Sequence, residues 1–334
     1  MIPPAWTDVW ICPRADGHIQ AIGRDARGRR QYRYHAGFRA RRDRGKFARI
    51  VRFAERLPRI RRRVRADLRR PGLPREKVLA AVVTLLEATR LRVGNQQYAR
   101  LNRSFGISTL RDRHARVTGT TVRFKFRGKG GRTEERELVD RRLAALVRRC
   151  QELPGQDLFQ YLDDAGETRA VRSEDVNEYL RDAAGSDDVS AKDYRTWTAT
   201  VLAYEALHQV AAEHDAEEAE AETADSSASG GTRRRRRRNP IVEALRRTAE
   251  ELGDTVAVTR SAYVHPDVLE AFDGDGARPN GGRVRPRDLD GPPDRRTELD
   301  VLALLRRADR ATRAAKRLQV DRAAVAGRAR GRRP

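Results

Sequence analysis

The chain has 334 residues, 71 Lys+Arg against 48 Asp+Glu, and a formal net charge of +23. That length suggests two or three domains, and the basic excess points to a polyanionic partner, nucleic acid before anionic membrane. No apolar run approaches the ~18 residues of a membrane span, and Cys12 and Cys150 stand too far apart in sequence to suggest a zinc site or a disulfide framework.

In chain order, residues 9–12 read as a short strand, Asp16-Gly17 as a turn and 18–22 as a second strand. A basic loop, 23–30, leads to a third strand, 31–35, whose alternation puts Tyr32 and Tyr34 on one face. Aromatics interleaved with Arg and Gln suit DNA: cations hold phosphates while Gln31, Tyr32 and Tyr34 reach for bases. Residues 47–68 read as basic helices broken near Pro58, and Pro71-Gly72-Leu73-Pro74 as a linker.

The strongest helix signal covers 76–91, with Val78, Leu79, Val82, Val83 and Leu86 forming its apolar face. Arg92-Val93-Gly94-Asn95 follows, with Gly94 expected both to stop the helix and to admit another backbone. Residues 121–126 and 132–139 alternate as a hairpin, which puts Lys129 at the glycine-rich tip. Helices are expected over 143–153 and 174–182. Ser190 and Asp193 then form a capping-box variant that starts another helix, with Tyr194, Trp197, Val201 and Tyr204 on its core side. Arg195 sits near that helix's N-terminus, where a cation opposes the dipole, so a nearby anion is expected.

Residues 213–239 carry an acidic block, a Ser/Gly stretch and six consecutive arginines, and read as a disordered insertion. A further amphipathic helix covers 241–252, with Gly253 as its stop. Next comes a small-residue segment with one tyrosine, Tyr263, which by itself reads as a half-buried aromatic. A Gly/Pro-rich loop is expected over 273–296. Leu299, Val301, Leu302 and Leu305 mark one more helix, and 309–334 a basic tail, helical at first.

Six blocks, taken together and in order, resemble the type IB DNA topoisomerases of the poxvirus-like, bacterial kind: GRDARGRRQYRY (23–34), RVGN (92–95), FGISTLRDRH (105–114), KFRGK (125–129), KDYRT (192–196) and 252–266 around Tyr263. The resemblance implies an α+β protein: a small strand-rich N-terminal domain, 1–74, shorter than the family's, then a mainly α-helical catalytic domain, 75–308, with a β-hairpin. It implies that Tyr263 attacks a DNA phosphate to leave a 3′-phosphotyrosyl link. Arg92 and Arg195 would stabilise the pentacoordinate transition state, and Lys129 would protonate the departing 5′-oxygen. Gln31, Tyr32, Tyr34 and Lys192 would contact DNA. The partner is duplex DNA, clamped by a monomer, with no cofactor, ATP or metal, and the setting is cytoplasmic and nucleoid-associated, since no signal peptide is visible.

One site position departs from the pattern. Nine residues before the nucleophile the family has His or Asn, and here Asp254 stands there. An ionised carboxylate only accepts hydrogen bonds and repels a phosphate, so a weakened or inactive DNA-binding homologue is the alternative. A tyrosine recombinase is less fitting, because its usual His-x-x-Arg is Lys192-Asp193-Tyr194-Arg195 here.

Overall fold

A computed structural model describes residues 2–26, 28–225, 239–273 and 294–330. It divides into two compact units, Met1–Arg52 and Phe53–Pro334. The division falls inside a helix, and the Pro71-Gly72-Leu73-Pro74 stretch lies within the second unit, between the end of that helix and the next.

The first unit holds an antiparallel sheet in the order β1 (Thr7–Ile11), β2 (Ile19–Arg24), β3 (Arg30–Tyr34). Tyr32 pairs with Ile22 and Tyr34 with Ile19, so both tyrosines lie on one face, as their alternation requires. Gly23 is needed there: a Cβ would come within 2.6 Å of the Trp6 ring. The first half of α1 (Ala36–Asp67) follows, and its Phe38 stacks on His18 and Tyr34 at 4.6 and 5.7 Å.

Helix α1 runs unbroken through Pro58, where the sequence suggested a break. A mid-helix proline costs ~3 kcal/mol. On either side Phe53, Leu57, Ile60 and Val64 are buried at helical spacing, and each such side chain returns ~1.5–3 kcal/mol.

The second unit is built around α2 (Arg75–Thr89), buried along nearly its whole length, and α6 (Ala191–Asp225). Between them come α3 (Gln96–Asn102), the antiparallel sheet β4 (Ala115–Thr118), β5 (Thr121–Arg127), β6 (Thr133–Val139), and α4 (Arg141–Gln151). The hairpin β7 (Gln160–Leu162), β8 (Thr168–Ala170) and α5 (Ser173–Ala184) follow. Strands β4, β7 and β8 are too short to carry a clear alternation and were not foreseen. Phe53 meets Tyr194 edge to face at 5.0 Å, tying α1 to α6.

Residues 213–225, expected as part of a disordered insertion, continue α6 as helix to Asp225, and 226–238 lie outside the described residues. After α7 (Pro240–Leu252), the single turn α8 (Val256–Val258) and α9 (Pro266–Asp273), residues 274–293 of the loop expected over 273–296 also lie outside them, while its two ends are helical: Asp273 closes α9 and residues 295–296 open the next helix. Helix α10 (Arg295–Arg330) extends through most of the expected tail. Its buried apolar residues among those described are Val301, Leu302, Leu304 and Leu305, with Thr297 and Glu298 also buried, while Leu299, expected on that face, is exposed.

Candidate active site

Helix α2 stops at Arg90, which takes the left-handed conformation (φ 58°), not at Gly94. Gly94 (φ 101°) serves the second purpose read from the sequence. A Cβ on Gly106 would fall 2.5 Å from the Arg92 carbonyl oxygen and 2.6 Å from the Gly94 Cα. Two backbones therefore cross in contact, and Ile107 and Ser108 N–H donate to the carbonyls of Arg92 (2.9 Å) and Val93 (2.7 Å). His114 braces the same loop: its Nδ1 accepts the Arg111 N–H at 3.0 Å and its ring lies 4.5 Å from Phe105. Burial, and then the charges of Arg113 and Arg111, push its pKa down to about 4. The backbone under Arg92 is thus fixed before any ligand arrives.

Arg195 is 6% exposed. At the start of its helix Ser190 N–H donates to Asp193 Oδ2 at 2.8 Å, the capping contact foreseen from the sequence. Its Nη1 donates to the Arg90 carbonyl and its Nη2 to the Leu252 carbonyl. These are oxygens at the C-terminal ends of α2 and α7, where unpaired carbonyls and the negative end of the helix dipole favour a cation. The Arg90 side chain is itself buried and paired with Glu251 at 2.5 Å. Arg136 closes the arrangement from β6, donating to the Glu251 and Thr89 carbonyls at 3.2 and 3.4 Å. A left-handed non-glycine residue costs ~1–2 kcal/mol, and here that conformation ends α2 at the carbonyl Arg195 uses.

The anion expected near Arg195 is Asp254. Gly253 (φ 61°) caps α7 and Asp254 N–H returns to the Ala249 carbonyl at 3.0 Å, the usual closing pattern for a helix C-terminus. The carboxylate lies between two guanidiniums. Arg92 Nη2 donates to Oδ1 at 2.7 Å and to Oδ2 at 2.8 Å, and Arg195 Nη2 donates to Oδ2 at 2.7 Å.

Tyr263 ends a π-helical turn, Thr259–Tyr263, in which Val264 N–H reaches back to the Thr259 carbonyl at 3.0 Å. Such wide turns are rare and concentrate at functional sites. The ring is 7% exposed, and the Arg195 guanidinium stands 5.1 Å from its centroid. Thr200, buried in α6, anchors the backbone on both sides: its Oγ1 lies 3.2 Å from the Tyr263 carbonyl oxygen and accepts the His265 N–H at 3.2 Å.

Arg92, Arg195, Asp254 and Tyr263 therefore form one cluster. Lys129 is exposed on the β5–β6 turn and hydrogen-bonds to none of the described residues. The same turn is held beside the cluster by Arg132, whose Nη1 donates to the Gly253 carbonyl at 3.4 Å. Lys192 is exposed in the first turn of α6. Gln31, Tyr32 and Tyr34 belong to the first unit. There Gln31 donates to Asp25 at 2.9 Å, Tyr32 is 42% exposed and stacks on Tyr34 at 6.2 Å, and Arg42 lies 5.2 Å from the Tyr34 ring. Sequence reasoning missed Arg90, Glu251, Arg136 and Thr200. A threonine at the head of the apolar run Val201-Leu202-Ala203 was the one available signal; the others acquire meaning only when distant helix ends meet.

Known proteins resemble this chain over most of its length. A family model described as the catalytic core of eukaryotic DNA topoisomerase I matches residues 35–273. A second, the N-terminal domain of bacterial DNA topoisomerase IB, matches residues 1–25. A protein named DNA topoisomerase 1B from Acanthamoeba polyphaga mimivirus is 30% identical over 275 residues, 81% of this chain and 77% of that one.

Proposed function

Because the chain belongs to the type IB DNA topoisomerase family, we propose that it relaxes supercoiled duplex DNA by cutting and resealing one strand through Tyr263. The Tyr263 oxygen attacks a backbone phosphorus, its proton passes to solvent, and the bond to the 5′-oxygen breaks. A 3′-phosphotyrosyl ester results. It conserves the energy of the phosphodiester, so the free strand rotates and its 5′-hydroxyl reseals the break without ATP.

The observation that carries the reading is one cluster holding a buried tyrosine, a guanidinium 5.1 Å above its ring, and a second guanidinium joined to the first through one carboxylate. Attack on a phosphodiester builds charge on the two non-bridging oxygens, and paired arginines suit that task through planar N–H donors. One such donor contributes roughly 10²–10³ in rate. The two cations supply charge that a divalent metal would otherwise supply. The Arg195 Nε–H has no acceptor among the described residues, which leaves a donor for an incoming oxygen. Lys129, on its glycine-flanked turn, would protonate the leaving 5′-oxygen. Gln31, Tyr32, Tyr34 and Lys192 would hold the duplex, clamped by a monomer in a cytoplasmic, nucleoid-associated setting.

The test is incubation with supercoiled plasmid in EDTA without ATP. The expected result is relaxation and a covalent protein–DNA adduct, both lost in Tyr263→Phe. DNA binding with neither relaxation nor adduct would instead favour a non-catalytic DNA-binding protein, and relaxation persisting in Tyr263→Phe would remove the proposed nucleophile.

A further inference from the structure

We infer that Asp254 is a built-in competitor for the scissile phosphate: an internal carboxylate that closes the anion site of the free protein and must be pushed aside before the strand is cut. The inference rests on the reading of the site just proposed.

Three observations lead to it. The first is geometric. The Asp254 carboxylate presents two oxygens to Arg92 and Arg195 at 2.7–2.8 Å, and both arginines use Nη2. A phosphodiester presenting two non-bridging oxygens calls on the same N–H groups. The second is placement. The Asp254 backbone is fixed by the closing turn of α7, and the side chain is 12% exposed. A tethered ligand in a poorly hydrated place competes at high effective concentration.

The third is an asymmetry between the two arginines. Without Asp254, Arg195 keeps the carbonyls of Arg90 and Leu252. The Arg92 guanidinium has no other hydrogen-bond partner among the described residues. Displacement therefore leaves Arg195 in place and frees Arg92 entirely, so of the two arginines Arg92 is the one that moves when DNA enters. The carboxylate cannot share the site with a phosphate, because it donates no hydrogen bond and carries the same sign of charge. Only the displaced fraction of molecules is competent, and the apparent affinity and rate fall by that fraction.

A different role is equally concrete. Asp254 could hold the arginines in their working positions, in which case its loss would slow the reaction. Asp254→Asn separates the two, since it keeps the shape and removes the charge. With excess protein on supercoiled plasmid, competition predicts that Asp254→Asn forms the Tyr263 adduct about tenfold faster or more than the parent, given the strength of hydrogen bonds between charged groups. Asp254→Ala should also exceed the parent. A second readout needs no catalysis: inorganic phosphate should raise the unfolding midpoint of Asp254→Asn more than that of the parent.

Slower adduct formation in both variants, with no larger phosphate shift, would overturn the inference in favour of a positioning role. If no protein forms a Tyr263 adduct, the proposed function fails, and the phosphate shift still decides the competition: a larger shift in Asp254→Asn supports it and an equal shift refutes it.

Discussion

Two charge clusters in the second unit use the same groups in inverse proportion. In one, a single arginine lies between two carboxylates. Arg61 Nε donates to Glu87 at 2.6 Å, and its Nη1 and Nη2 take the two oxygens of Glu298 at 2.7 and 2.8 Å. In the other, a single carboxylate, Asp254, lies between Arg92 and Arg195. The first joins the side chains of four helices, α1, α2, α6 and α10, and its extra acid is answered by the Trp197 indole N–H at 3.1 Å. The second joins helix ends and a loop, and among the described residues no further carboxylate is hydrogen-bonded to its arginines. A buried network that answers each charge holds helices together. One left a cation in excess, on backbone fixed by carbonyls and a glycine crossing, is prepared for an anion that the protein does not contain.

Substitutions should separate these roles, the largest effect first. Glu298→Ala leaves Arg61 half-paired and the Trp197 indole unanswered, and breaking a buried pair costs about 3–5 kcal/mol. Denaturant unfolding should show that loss, while adduct formation per folded molecule stays within about twofold of the parent, since the cluster lies outside the proposed chemistry. Arg195→Ala should do the reverse: adduct formation falls roughly 10²–10³-fold with a smaller loss of stability, because Asp254 keeps Arg92. Arg195→Lys should recover little, as one ammonium does not reproduce a planar fork spanning two carbonyls and a carboxylate. Equal stability losses from Glu298→Ala and Arg195→Ala would erase the distinction.

The same contrast explains what could be read from the sequence. Helices α2 and α7 and the β5–β6 hairpin announced themselves through periodicity, and Gly253 through its place after an apolar stripe. Tyr263, Arg92, Arg195 and Asp254 were singled out from motif blocks, and folding brings those four together. Helix α1 was misjudged at Pro58 because a local rule met a packed stripe, Phe53 to Val64, that outweighs it. The end of α2 was misplaced because a left-handed arginine has no sequence signature. The carbonyls that hold Arg195 were illegible for a deeper reason. They belong to Arg90 and Leu252, residues 162 positions apart, and a main-chain oxygen carries no residue identity. Nor did the sequence alone reveal that Asp254 would bridge two guanidiniums, although it did show that a carboxylate there opposes phosphate.

Acid provides the mildest way to divide the two clusters, because one of them leans on a histidine and the other does not. His114 braces the Phe105–Gly106 segment that crosses Arg92, and it is held neutral, with its pKa near 4 against an ordinary 6.5. A depressed pKa means the unfolded chain takes up the proton first. Above pH 6.5 the group contributes no pH dependence. As pH falls from 6.5 toward 4 stability is lost, and below 4 that loss levels off. The size is about 1–3 kcal/mol, allowing for solvent screening. With Trp6 and Trp10 replaced by Phe, Trp197 fluorescence follows the Arg61 cluster, and phosphate-induced stabilisation of Asp254→Asn follows the Arg92 loop. Acidification through this window should therefore weaken the phosphate effect before Trp197 emission changes. His114→Gln should flatten the 6.5-to-4 part of the stability profile, and its amide oxygen offers an acceptor in place of the ring nitrogen. An unchanged slope in that variant would assign the acid sensitivity to groups other than His114.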